Sequence, residues 1–316
     1  QKANETGHNV NKIEIKNQIY SIKNMNNIFK TPKWVKDLVW NKREYDENYL
    51  QELAERLAGF REDKPDVSIV IPVWNEGSNV IRTLDSVSRT RTALKCELIV
   101  VNNNSTDNTQ EVLDKLGIYS IFEPRQGIAF ARQRGLDSAK GKYHLCADAD
   151  TLYPPKWVDT MVTSLDEADT VCVYGRYSFI PSFGYSRITL GLYEMLASVM
   201  IRLRKRKREF VNVLGFNFGF VTGYGKMSHG FEMEKPRVFE NNEGSTDYVS
   251  ASEDGMMALK LKDIGRIKMT KSYDARVWTM PRRLMKDGSL LRAVVKRIGF
   301  HGRRVTEYGF GIKLSN

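Results

Sequence analysis

Two acids separated by one small residue, Asp148-Ala149-Asp150, follow the apolar stretch Tyr143–Ala147. On an extended backbone, side chains two apart project to the same side, so both carboxylates offer oxygen to one point at a strand end. That is the donor chemistry of Mg2+ or Mn2+, hard cations that keep waters and bridge substrate phosphates. A solvated turn running into Pro154-Pro155 would use the same residues, and short motifs match by accident often. A second acid pair, Glu253-Asp254, opens a helical pattern that runs to Lys262. Carboxylates are favoured at any helix N-terminus, and one of these two is equally placed to act as a general base. The four histidines, His8, His144, His229 and His301, lack metal-ligand spacing, and His144 reads as a core residue of a buried strand. Cys96, Cys146 and Cys172 are odd in number and form no CxxC. That argues against a zinc knuckle or disulfide framework and for a reducing, cytoplasmic compartment.

The elements that must position these groups alternate. Val67–Val73 and Leu98–Val101 are short apolar runs suited to a buried parallel sheet. Between them Val80, Ile81, Leu84 and Val87 recur at helical spacing, and another helix is expected from Ser105, ending at Gly117. Ile118–Phe122 reads as a strand, Ile128–Ala139 as a helix, and Tyr143–Ala147 as the strand that delivers Asp148. This order predicts an α/β, doubly wound sheet with ligands outside the carboxyl ends of its strands. Upstream, Thr31-Pro32 reads as a helix start, and Leu50, Leu53 and Leu57 share a helical face that stops at Gly59. Residues 1–66 are therefore expected to form an arm and helical extension, 67–180 the first half of the main domain and 181–316 the second. In that second half Glu253–Lys262 predicts a helix, Ala275–Met280 a strand and Leu290–Ile298 a basic amphipathic helix.

The chain has 316 residues and a net charge of +11. Residues 1–180 carry 24 Lys and Arg against 25 Asp and Glu, whereas residues 181–316 carry 25 against 13. All the positive excess lies in the second half, which suggests an anionic partner there. Apolar Ile188–Ile201 is followed by Arg202–Arg208, where six of seven residues are basic. The segment is too short to span a bilayer comfortably; it fits a core helix with a cationic end, or a helix lying on an anionic membrane surface. No aromatic interleaves the basic run, so a nucleic-acid partner is not expected. No G-x-G-x-x-G follows the first strand, which excludes a dinucleotide-binding dehydrogenase.

Taken in order, several segments resemble one family. Val67-Ser-Ile-Val-Ile-Pro-Val-Trp-Asn-Glu76 looks like the opening strand of family 2 glycosyltransferases, and Val101-Asn-Asn-Asn-Ser-Thr-Asp-Asn-Thr109 resembles their second strand and turn. Gly127-Ile-Ala-Phe-Ala-Arg132, Asp148-Ala149-Asp150 and Glu253-Asp254 resemble the family's later motifs. The resemblance implies a GT-A fold and inverting transfer of a sugar from a nucleoside-diphosphate sugar, with UDP favoured, to an acceptor hydroxyl. It implies that Pro72, Trp74, Glu76, Asn102, Arg132, Asp148 and Arg283 bind the nucleotide sugar, with Arg282 the alternative to Arg283. It further implies Mn2+ or Mg2+ on Asp150 and Asp148, catalysis by Asp254 with Glu253 assisting, and an acceptor loop at Gly223 and Tyr224. Asn102 departs from the family's usual Asp, keeping hydrogen-bonding capacity without charge. The acceptor is expected to be a glycan, a lipid-linked sugar or a small molecule. A non-catalytic relative that binds sugar nucleotides would carry the same motifs.

Overall fold

Every residue of β1 (Val67–Val73) is buried, as an apolar run covered on both faces requires. In the computed structural model, which describes residues 28–40, 45–182, 184–233 and 252–285 with positions 292 and 295, β1 lies within a seven-stranded sheet. The other strands are β2 (Cys96–Asn102), β3 (Ser120–Phe122), β4 (Tyr143–Cys146), β5 (Thr151–Leu152), β6 (Thr170–Tyr174), β7 (Tyr177–Phe179), β8 (Phe218–Val221), β9 (Arg266–Met269) and β10 (Val277–Thr279). The large sheet runs β3-β2-β1-β4-β8-β6-β9, and a small sheet runs β5-β10-β7. In the large sheet only β8 is antiparallel to its neighbours. This is the mostly parallel α/β architecture expected from the alternation.

The helices are α1 (Lys33–Val39), α2 (Glu47–Ala58), α3 (Asn79–Ser88), α4 (Thr109–Lys115), α5 (Ile128–Ser138), α6 (Trp157–Leu165), α7 (Arg187–Lys205), α8 (Thr222–Met227), α9 (Glu253–Lys262) and α10 (Arg282–Met285). They cover both faces of the sheet, and the period-two alternation of β1 shows how. Ile69 and Ile71 face a cluster with Leu53, Leu84, Trp157 and Val158. Val70, between them, faces Val101, Ala131 and Ala139 on the other side. A third cluster joins Phe218 and Phe220 of β8 to Met257 and Leu261 of α9. Val80, Ile81, Leu84 and Val87 of α3 are at most 3% exposed, each burial contributing about 1.5–3 kcal/mol.

Several boundaries shift for local reasons. The helix expected from Ser105 begins at Thr109, because the Asn102 and Asp107 side chains accept from the Ser105 and Thr109 N–H groups and compete with the first helical turn. The strand expected from Ile118 starts at Ser120. The strand expected over Ala275–Met280 is split into a 3-10 turn, Tyr273–Ala275, and β10. The helix expected to be capped by Thr31 has Pro32 at the cap position. The N-terminal extension is tied to α3 through buried Asp85, which accepts from Tyr49 Oη at 2.5 Å and pairs with Arg56 and Arg89 at 2.9 Å. Among the described residues no helix is long and apolar enough to cross a membrane. The arm before residue 28 and the basic helix expected over Leu290–Ile298 lie outside the described residues, apart from positions 292 and 295.

Candidate active site

The sheet opens between β1 and β4. Their last backbone bond runs from Ala147 N–H to Val70 C=O, and beyond it the two strand ends diverge. Pro72, which has no N–H to offer, therefore sits where β4 no longer needs one. This crevice, where the strand order reverses, is the ligand position of doubly wound sheets. The loops that follow β1 and β2 are fastened to each other on its β1 side. Thr109 Oγ1 accepts from Glu76 N–H at 3.0 Å and Gly77 N–H at 2.8 Å, and Asn75 Oδ1 accepts from Thr106 N–H at 2.8 Å. Asn75 (φ 50°) and Asn104 (φ 58°) take the left-handed turns this needs, conformations Asn tolerates better than most residues.

Asp148-Ala149-Asp150 leaves β4 held from several sides. Thr83 Oγ1 of α3 donates to Ala149 C=O at 2.8 Å. Tyr153 Oη accepts from Asp148 N–H at 2.8 Å and donates to Phe216 C=O at 2.9 Å, joining the acidic loop to the approach to β8. Met280 N–H donates to Asp150 C=O at 3.3 Å. The Asp148 and Asp150 side chains are 24% and 21% exposed, so the site is accessible without being fully solvated.

Each acid has its own arginine. Arg132, carried by α5 and 2% exposed, donates from Nη2 to Asp148 Oδ1 at 2.7 Å. Its Nε lies 3.4 Å from Asp254 Oδ1 and 3.9 Å from Glu253 Oε1. Burial works against this cation, but Asp148, Asp254 and Glu253 together hold it charged, above the ordinary arginine range. Arg282, on α10, donates to Asp150 Oδ2 and lies 2.7 Å from Glu76 Oε1. Burial raises the Glu76 carboxyl even against Arg282.

Asp254 opens α9 behind Ser252, whose hydroxyl caps the helix by accepting from Gly255 N–H. Its Oδ2 accepts from Gly215 N–H at 2.7 Å. Burial, with Glu253 beside it, raises the Asp254 carboxyl to about 7 despite Arg132. A carboxylate poised near neutrality is what general-base chemistry calls for.

The structure thus brings together Glu76, Arg132, Asp148, Asp150, Glu253 and Asp254, from four separate stretches of sequence. Pro72, half-buried Trp74 and buried Asn102 stand at the β1 and β2 ends. The Asn102 carboxamide is engaged locally, accepting from Ser105 N–H and donating to Gln110 Oε1 at 2.7 Å. Arg282, the alternative to Arg283, reaches Asp150 and Glu76, while the side chain of Arg283 lies outside the described part of the structure.

Gly223 and Tyr224 correct an expectation. They form the start of α8, not a loop, and Val221 just before them pairs with Tyr143 at the entry of β4, the end of that strand opposite Asp148. The segment before β8 reaches the site instead. A Cβ on Gly215 would collide with Arg132 Nη2 and stand 2.6 Å from Asp254 Oδ1, so glycine there permits the arginine–acid contact. Gly215 is not among the residues expected from sequence, although Gly215-Phe216 is a Gly-aromatic pair like Gly223-Tyr224, and only the direction of β8 separates them. His144 is buried as expected, yet neither ring nitrogen has a hydrogen-bond partner. It stacks on Phe220 at 4.6 Å, and burial lowers its pKa to about 3, so it stays neutral.

Among the described residues no three His, Cys, Asp or Glu side chains form a complete metal shell. The two D-x-D carboxylates fit a hard cation that takes its remaining oxygens from water and phosphate. Glu76 Oε2, Arg132 Nη1 and Asp254 Oδ1 are buried without a hydrogen-bond partner, and their concentration in one crevice suits a polar ligand.

Fold and crevice define a GT-A-type architecture, and the comparisons agree. The model of glycosyl transferase family 2 matches residues 68–229; the chain belongs to that family. Glycosyltransferase GlyG of Streptococcus pneumoniae is 27% identical over 117 residues, 35% of this chain and 38% of that protein. The chain spans between about a fifth and two fifths of the length of the curated relatives it matches. Among solved structures, mannosyltransferase PcManGT of Pyrobaculum calidifontis, in complex with GDP-Man and Mn2+, is 18% identical with a TM-score of 0.50, covering 80% of this chain and 71% of that one. S. aureus TarS 1-349 is 16% identical with a TM-score of 0.51, covering 79% and 76%. These structures share the fold.

Proposed function

We propose that the protein transfers a sugar from a nucleoside-diphosphate sugar, with UDP favoured, to an acceptor hydroxyl with inversion and with the help of a divalent metal. The observation that carries this reading is the buried Arg132, which unites Asp148 of the D-x-D with Glu253 and Asp254. One cation thereby sets the distance between the donor-binding acids and the candidate base. Residues 67–180 supply the donor side and residues 181–316 the acceptor side.

Asp148 and Asp150 would hold Mn2+ or Mg2+, which supplies Lewis-acid stabilisation of charge growing on the departing diphosphate. Arg282 stands beside Asp150 as a further cation for that diphosphate, its guanidinium matched to phosphate oxygens. Trp74, Pro72 and the Asn102 loop bound the nucleoside pocket. Asp254 accepts the proton of the attacking hydroxyl, and Arg132 and Gly215 N–H orient its two oxygens. Glu253 raises the proton affinity of that base. The acceptor is a hydroxyl on a glycan, a lipid-linked sugar or a small molecule, approaching along Gly215-Phe216.

Calorimetric titration with UDP and with GDP, each with Mn2+ and with chelator, tests the reading. GDP is included because the mannosyltransferase of like fold was solved with GDP-Man. Metal-dependent binding of one nucleotide, lost in Asp150→Ala, is the expected result. Binding indifferent to metal and to Asp150→Ala would overturn the metal assignment. Binding without transfer to any acceptor hydroxyl would favour a non-catalytic sugar-nucleotide binder.

A further inference from the structure

The outer face of α7 is apolar where surface helices are ordinarily charged. Ile188, Leu192, Leu196, Val199 and Leu203 are 62%, 58%, 38%, 49% and 45% exposed. Steps of four, four, three and four residues place them on one stripe of a helix with 3.6 residues per turn, about 22 Å long at 1.5 Å per residue. The helix's one acid, Glu194, points inward at 6% exposure, held by Arg187 at 2.6 Å and by Phe179 N–H at 2.7 Å. No exposed charge interrupts the stripe before Arg202. Single apolar residues on a surface are ordinary, but a contiguous one-sided stripe marks an interaction surface.

Charge begins where the stripe ends. Arg202, Lys205, Arg206 and Lys207 are exposed around the last turn of α7. We infer that α7 is a membrane-docking helix, lying in the plane of an anionic lipid surface with its stripe at the headgroup–acyl boundary and its basic end on acidic headgroups. An apolar face joined to a cationic cluster is the pattern of interfacial helices. Charge complementarity selects this occupant over a second copy of the chain. A partner α7, parallel or antiparallel, has no exposed acid to offer the four cations, whereas acidic lipid supplies that charge throughout the surface. The inner face of α7 gives the docking a direction. Leu190 and Tyr193 pack with Phe179 and with Leu284 of α10, the short helix whose Arg282 reaches Asp150 and Glu76. A docked α7 therefore sets the rim of the crevice beside the lipid headgroups.

Flotation of the full chain with phosphatidylcholine vesicles, with and without about 30% phosphatidylglycerol, tests this. The wild type is expected to float with the acidic vesicles and to dissociate as salt is raised. Leu192→Glu/Leu196→Glu and, separately, Lys205→Glu/Arg206→Glu should each weaken binding by on the order of tenfold or more. Both pairs are solvent-facing, so circular dichroism should report unchanged helix content. Should either variant misfold, the salt titration of the wild type and the milder Leu192→Gln/Leu196→Gln carry the test. The inference is overturned if the wild type does not float with acidic vesicles at low salt, or if the folded variants float as well as the wild type. A lipid-free dimer in sedimentation equilibrium, dissociated by the leucine substitutions, would overturn it too and make the stripe a self-interface.

Discussion

Asp148 and Asp150 lie two residues apart and both meet an arginine, but in opposite settings. The floor of the crevice is Arg132, 2% exposed and surrounded by Asp148, Glu253 and Asp254. The rim is Arg282, 39% exposed on a four-residue helix, reaching Asp150 and Glu76. A buried charge cluster has no water to replace a missing member, so the floor must be permanent. A half-exposed arginine can exchange carboxylates for phosphate oxygens at little cost. On the proposed function, the difference separates a fixed scaffold for the reacting groups from a movable contact for the ligand.

The largest expected effect falls on the floor. Arg132→Met leaves three acids without their buried cation and should destabilise the fold by about 3–5 kcal/mol in urea denaturation. Arg282→Met should change stability by no more than about 1 kcal/mol while weakening nucleotide binding. Equal losses of stability would erase the distinction between floor and rim. Asp254→Asn should lower turnover by on the order of a hundredfold or more with donor affinity retained.

The same side chain makes a pH prediction. Its folded pKa, about 7, lies above the ordinary 3.8, so between those values the native state binds more protons than the unfolded one. Stability contributed by the protonated carboxyl is therefore present at low pH and lost as pH rises through about 7, while activity rises over the upper part of that window. Denaturation at several pH values should show this slope, flattened in Asp254→Asn.

Smaller effects map the edges of the floor. Gly215→Ala pushes a methyl group into the Arg132–Asp254 contact and should lower turnover by about tenfold or more. Gly223→Ala, with nothing within 4 Å of its new methyl, should leave turnover unchanged, and a matching loss there would return the acceptor role to α8. Thr83→Val strands the Ala149 carbonyl and should cost about 1–3 kcal/mol, with Thr83→Ser largely restoring stability.

The parts of this site that sequence reveals are those governed by local periodicity. β1, β2 and β4 show as apolar runs, and a strand that ends in Asp148 announces where its acids must stand. What stays hidden depends on long-range pairing. β8 is four residues rich in Phe and Gly, with no alternation to mark it, and its antiparallel insertion between β4 and β6 decides that Gly215, not Gly223, faces the acids. Arg282 and Arg283 are chemically equivalent neighbours, and nothing in the local sequence says that Arg282 reaches Asp150 and Glu76. The depth of Arg132 is likewise invisible in a helix whose sequence, Ile128–Ser138, mixes apolar and polar residues. The exposed stripe of α7 is hidden for the opposite reason: apolar spacing reports that a face exists, not which side of the helix the protein covers.

The chain's three cysteines, Cys96, Cys146 and Cys172, are all free and buried, and burial raises each thiol above its ordinary range. Thiolate, not thiol, reacts with alkylating probes. Toward a water-soluble maleimide the folded protein should therefore behave as though it had no cysteine, and a single one introduced by Val199→Cys would be a solitary handle for a fluorescent or spin label. The natural sequence is in effect its own cysteine-free background for spectroscopy.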